Sequence, residues 1–104
     1  MKNVTLVCKQ EFYDNGRIKS KQYRLDGELH NPNGIAWKAW LNNGQLISES
    51  YWLNGKLHNE NGIALTLWDF EGKLLAEEYL IQGKLLTKEE FDNRNKPSPA
   101  IIRP

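Results

Sequence analysis

The residues with the most chemical potential sit in an octapeptide written twice, LHNPNGIA at 29–36 and LHNENGIA at 57–64. Histidine beside asparagine and glutamate can ligate a metal or act as a catalytic base. A structural zinc asks for four ligands, normally Cys and His, and a catalytic one for three. His30, His58 and the lone Cys8 do not fill a closed site within one chain, so neither a metal nor a cofactor is expected. The expectation is that His30 and His58 hydrogen-bond within their own bends. They would line one edge of the molecule with Asn33 and Glu60, and Pro32 and Glu60 are the positions at which the two copies differ.

Other chemistry finds less support. Cys8 follows Thr-Leu-Val, a setting in which a buried structural thiol is expected. Ser20, Ser48 and Ser50 have no glycine-flanked elbow around them. Glu77 and Glu78 are adjacent, and neighbours on a strand point to opposite faces, so they would not work together as acid and base. Every glycine is required by a turn or a bend, which leaves none to cradle a phosphate. No catalytic residue is assigned, and the chain is not read as an enzyme.

The elements that carry these residues must fit one domain of 104 residues. Fourteen basic and thirteen acidic residues leave the net charge at +1, so bulk electrostatics do not draw the chain to nucleic acid or to an anionic membrane. The charge is polarised all the same. Between Met1 and Arg24 six basic residues face two acidic ones, and between Asp69 and Asp92 seven acidic residues face three basic ones. Within the basic end, RIKSKQYR (17–24) spaces Arg17, Lys19 and Lys21 along one strand face with Tyr23, and Arg24 follows. Such a stripe tracks phosphates and stacks a base, which makes nucleic acid the alternative partner. Its competing reading is an edge strand guarded by lysines against aggregation. One cysteine excludes an internal disulfide, no apolar run has the length of a membrane span, and MKNVTLVCKQ lacks the pattern of a signal peptide. A cytoplasmic location is therefore expected.

A spacing of 28 residues organises the chain. It aligns Phe12, Trp40 and Trp68, then Gly16, Gly44 and Gly72, then Tyr23, Tyr51 and Tyr79, then Gly27, Gly55 and Gly83, without gaps. Asn15-Gly16, Asp26-Gly27, Asn43-Gly44 and Asn54-Gly55 read as two-residue hairpin turns, with Glu71-Gly72 and Gln82-Gly83 as weaker versions suited to longer turns. The fold class is thus all-β: an antiparallel meander of three 28-residue repeats. Within 45–53, alternation places Ile47, Tyr51 and Leu53 on one face and Leu46 and Trp52 on the other. Segments 45–53 and 56–70 differ in length although paired strands must match, so the surplus leaves the sheet as an excursion at LHNENG and, one repeat earlier, LHNPNG. The third copy reads LTKEEF instead. Thr87 with Glu90 is a capping box, which predicts a short helix over about 88–93 as a cap on the array. The expected organisation is one β-repeat domain over 1–91 and a proline-containing tail over 92–104.

YWLNGKLHNENGIA (51–64) resembles the MORN-repeat-variant family, whose units run aromatic-x-x-Asn-Gly-Lys-Leu-His, a polar bend, then Gly-x-Ala. The resemblance covers about 12–91, and GKLLTKEEF is similar to the endings of many short phage and bacterial proteins with these repeats. It implies a β-hairpin array and, since some such proteins are antitoxin components, a partner rather than a substrate. The usual bend carries a basic residue, an acid and Gly-Pro, whereas this chain has Asn31-Pro32-Asn33 and Asn59-Glu60-Asn61.

A one-layer meander cannot cover both faces of its aromatic residues. Trp37, Trp40, Trp52, Trp68 and Tyr51 are accordingly the expected protein-binding residues, with Trp37 and Trp40 on opposite faces. The expected function is non-enzymatic inhibition by binding another protein, a toxin or a defence-system component, as an antitoxin or immunity protein or a phage-encoded anti-CRISPR-like inhibitor. A homodimer is the competing way to cover the aromatics, and no membrane partner is expected.

Overall fold

The computed structural model describes residues 5–95, so most of the tail expected over 92–104 lies outside the described residues. The chain runs β1 (Val7–Phe12), β2 (Ile18–Leu25), β3 (Glu28–Leu29), β4 (Trp37–Trp40), β5 (Leu46–Ser50), β6 (Trp52–Leu53), β7 (Lys56–Leu57), β8 (Leu65–Trp68), β9 (Leu74–Ile81), β10 (Lys84–Leu86) and α1 (Lys88–Asn93). The main sheet is ordered β1-β2-β4-β5-β8-β9-β10, with β3 also beside β2 and β6–β7 forming a small separate hairpin. Every pairing is antiparallel. The expected meander with a helical cap is what forms. Its extents of 70 × 47 × 16 Å describe a single layer. Among the described residues only Ala36, Ala64, Leu80 and Phe91 are buried apolar side chains.

Hydrogen bonds recur at the sequence spacing. Tyr23 N–H donates to the Ala36 carbonyl and Tyr51 N–H to that of Ala64, while Gly55 N–H reaches Leu29 O and Gly83 N–H reaches Leu57 O. The two excursions fall between β3 and β4 and between β7 and β8, where the length mismatch puts them.

Turn chemistry divides differently from the sequence reading. Asp26-Gly27, Asn54-Gly55 and Gln82-Gly83 have positive φ at both central residues, as a type I′ turn requires. At 13–17, 41–45 and 69–73 only the glycine is left-handed, and the hairpin closes through a wider turn: Tyr13 N–H donates to Arg17 O and Gly16 N–H to Tyr13 O. Asn15-Gly16 and Asn43-Gly44 are therefore not two-residue turns, and Gln82-Gly83 is one. The cause is local for the first pair. The Asn15 carboxamide oxygen accepts the Arg17 N–H and that of Asn43 accepts the Gln45 N–H, an Asx turn that keeps the asparagine out of the left-handed region. Gln82 has no side chain that forms an Asx turn, and its N–H is held by His58 from the preceding unit.

Each wide turn is followed by a bulge. The register slips at Glu11/Phe12, Ala39/Trp40 and Leu67/Trp68, which leaves Lys19, Ile47 and Leu75 as the extra residues. The alternation expected over 45–53 is thus broken at Ile47 and again where the chain leaves β5 at Tyr51. RIKSKQYR also turns out not to be an edge strand. It forms β2, flanked by β1 and β4, and the edge is β1.

Register and pleat sort the side chains onto two faces. Ser20, Ala39, Ser48, Leu67 and Ala76 lie in one cross-strand row beside Gln22, Trp37, Ser50, Leu65 and Glu78, and this is called the serine face. The opposite row, Gln10, Lys21, Lys38, Glu49, Thr66 and Glu77, belongs to the tyrosine face.

Candidate functional site

The five expected binding aromatics do not form one patch. β4 is regular, so Trp37 and Trp40 point to opposite faces as expected, and Lys38 Nζ lies 5.7 Å from the Trp40 ring on the tyrosine face. Trp37 and Trp52 share the serine face, where Trp52 Nε1 donates to Ser50 Oγ at 2.8 Å. This indole covers Ser50, which is 2% exposed, and Trp52 has a structural use there. Trp68 joins Trp40 on the tyrosine face, two residues along β8 from Thr66. Tyr51 flanks the same face beside Glu49 and Thr66.

The tyrosine face holds more than the sequence reading assigned to it. Phe12, Trp40 and Trp68 form an aromatic row near the wide turns, and Tyr23 and Tyr51 form a second row near the bends. Between them runs the polar row, lysine-bearing on β2 and β4 and acidic on β5 and β9. Lys21 Nζ sits 5.6 Å from the Tyr23 ring, and Lys38 pairs with Glu49 at 3.2 Å. These lysines remain over aromatic rings in cation–π geometry rather than folding away. Phe12 is 58% exposed and was missed as a candidate. Its alignment with Trp40 and Trp68 was the available signal.

The basic stripe is divided. Lys21 and Tyr23 share the tyrosine face, and Lys19 is a bulge residue whose ammonium lies 5.6 Å from the Tyr13 ring. Arg17 belongs to the turn before β2 and donates to the Asn43 carbonyl. Arg24 lies on the other face, bonded to Gln22 Oε1 at 2.9 Å and to the Gly27 carbonyl at 2.8 Å.

The histidines have a different role from the one expected. His30 Nδ1 accepts the Asn54 N–H and His58 Nδ1 accepts the Gln82 N–H, both at 2.9 Å. Each imidazole therefore ties its bend to the left-handed hairpin residue of the following unit, not to its own bend. Asn31 and Asn59 hold the bends instead. Asn31 Nδ2 donates to Ile35 O while its Oδ1 accepts Asn33 N–H, and Asn59 makes the same two bonds to Ile63 and Asn61. A histidine that accepts at Nδ1 carries its proton at Nε2 when neutral. The Nδ1 lone pair that a metal or a catalytic proton transfer would use is already engaged at both sites. His58 is 7% exposed, and its Nε2 faces the exposed Glu60 carboxylate at 3.5 Å. Between the two bends lies an open cleft of about 360 Å³, with Tyr51, Leu53 and His58 in its wall and Pro32, Asn33 and Glu60 at its rim.

Cys8 is exposed on β1, not buried, because among the described residues no second layer packs over this edge strand. Among the described residues no three of His, Cys, Asp and Glu converge as metal ligands, and no helix is long and apolar enough to cross a membrane. Comparison with protein-family models, characterised proteins and solved structures finds no match to this chain.

Proposed function

We propose that the chain is a non-enzymatic binding protein whose tyrosine face docks another protein and blocks it. The observation that carries this reading is the pair of aromatic rows on one side of a sheet 16 Å thin, with no second layer over them among the described residues. Aromatic bodies with polar edges supply affinity at low entropic cost, and a graded polar row orients the partner. The resemblance to antitoxin-associated repeat proteins frames that partner as a toxin or a component of a bacterial defence system. Nucleic-acid binding has less support, since Arg17 and Arg24 are committed to turn carbonyls and leave the stripe.

Capture from bacterial lysate tests the reading. The partner is expected to survive nuclease treatment, to be lost with Trp40→Ala and Trp68→Ala in a chain that keeps its fold, and to be retained with Arg24→Ala, a basic residue on the opposite face. Loss on nuclease treatment, or capture indifferent to both tryptophans, overturns it.

A further inference from the structure

The sheet ends unequally, and the two ends match. β1 is the repeat equivalent of β4, since Lys9, Gln10 and Glu11 stand 28 residues before Trp37, Lys38 and Ala39. β4 packs against β2 through three ladder pairs, Ser20–Ala39, Lys21–Lys38 and Gln22–Trp37. At the far end, β10 pairs only with Tyr79, Leu80 and Ile81 of β9. Among the described residues no strand occupies the outer side of 74–78, where a further β4-like strand would lie. Helix α1 does not fill that place. Phe91 packs on the Tyr79 ring at 4.6 Å, and Arg94 reaches back to the Glu60 carbonyl, so the helix folds toward the preceding bend.

We propose that the open side of β9 takes β1 of a second copy of this chain, so that the molecules join head to tail and continue the ladder. The internal junction sets the register: Ala76 opposite Glu11, Glu77 opposite Gln10, and Glu78 opposite Lys9 of the second copy. Backbone polarity agrees. Tyr23 donates toward the β4 side, so Lys21, two residues back, also aims its backbone groups there, and Gln10, paired with Lys21, aims its own outward. The Glu78 carbonyl accepts from Ala64 on the β8 side, so Glu77 is the residue facing outward. Glu77 and Gln10 thus form the doubly hydrogen-bonded pair, while Glu78 and Lys9 meet as opposite charges on the serine face.

The flanking surfaces also match. Leu74 and Leu75 are 53% and 64% exposed at the open edge, and the register places Phe12 of the second copy, itself exposed, against them. On the tyrosine face the acidic Glu77 meets the neutral Gln10, with Lys21 of the second copy one strand beyond. A net charge of +1 offers little opposition to association. The contact joins unlike surfaces, so it repeats rather than closing as a two-fold dimer.

Sedimentation velocity of the full chain over a range of concentrations tests this. The average size is expected to grow beyond a dimer as concentration rises. Gln10→Pro removes an outward N–H without touching the β1–β2 ladder, and is expected to leave a folded monomer. Glu78→Lys and Lys9→Glu should each weaken association roughly fivefold or more, because like charges then stand opposite. Mixed in equal amounts, the two variants should associate as the original chain does, since every junction in the mixture can again pair opposite charges. A chain that stays monomeric, stops at a dimer, or associates unchanged with Gln10→Pro overturns the proposal. Should Gln10→Pro fail to fold, the charge-swapped mixture decides alone, and absence of recovery on mixing overturns it.

Discussion

The bend of the second unit and the helix of the third begin at the same point of the repeat. Asn59 and Thr87 are 28 residues apart, and both open their segment by accepting a backbone N–H a short way on, Asn61 in one case and Glu90 in the other. The outcomes diverge from there. Asn59 also donates to Ile63 O, which closes the loop and returns the chain to the sheet as β8. Thr87 has no amide to do so. Its partner Glu90 bonds back to the Thr87 N–H, and the turn propagates as α1. The residue that then packs near the unit's tyrosine is Ile63 beside Tyr51 in the loop and Phe91 against Tyr79 in the helix, again 28 residues apart. One offset thus continues the sheet or starts a helix, according to whether the capping side chain has an amide that reaches the carbonyl four residues on, as Asn59 reaches Ile63.

The largest expected effect on this comparison comes from Phe91→Ala. Phe91 is 8% exposed and carries the contact that holds the helix to β9, so its loss should cost about 3 kcal/mol, at the low end for a core phenylalanine because the layer is thin. Urea unfolding measures the cost. Amide signals from 88–93 should collapse while those of the 58–64 bend persist, and equal disturbance of both would mean the two segments are not independently anchored.

His58→Ala comes next. It leaves the Gln82 N–H without its acceptor in a mostly buried junction, at a cost of about 2 kcal/mol. His30→Ala removes the same bond to Asn54 in a more open junction, where water replaces it, and should cost about half as much by the same measurement. Equal losses would show that burial does not separate the two joints.

The smallest effect is a pH dependence confined to the helix. The Thr87 backbone N–H, then its hydroxyl, hold the Glu90 carboxyl below the usual carboxylate range. A carboxyl lowered in the folded state contributes stability above its unfolded pKa and loses it as pH falls through the folded value. Acidification below the ordinary carboxylate range should therefore loosen the Glu90 amide while the Asn61 amide, held by a carboxamide that does not titrate, stays protected. NMR of the two amides against pH reads both, and simultaneous loosening would place the sensitivity elsewhere.

Much of this architecture was legible in the chain. The 28-residue alignment located the six hairpin turns, segment lengths located the bends, and Thr87 with Glu90 located the helix at Lys88–Asn93. The candidate site was less legible. Trp37, Trp40, Trp52 and Trp68 read as one set, yet Trp52 is bonded over Ser50 and only Trp40 and Trp68 share a face with Tyr51. The bulges at Ile47 and Leu75 accompany wide turns, and at Asn43-Gly44 only the glycine is left-handed, unlike the two-residue turn that the dipeptide suggests. Leu74 and Leu75 carry no mark in the sequence, yet both are exposed, and among the described residues no strand lies on the outer side of that stretch of β9.

What the sequence determined by itself is the part that depends on near neighbours: period, turn positions, strand character and the capped end. Local hydrogen bonds and side-chain alternation act over a few residues, so the order of residue types encodes them directly. Tertiary structure decided what depends on which segment lies alongside. The Gln82 N–H is bonded to His58, 24 residues earlier in the chain. Cys8 is exposed on β1, which among the described residues has a strand on one side only. The imidazoles of LHNPNGIA and LHNENGIA are joints between units because the next hairpin places an N–H within reach, a donor that no reading of either octapeptide contains.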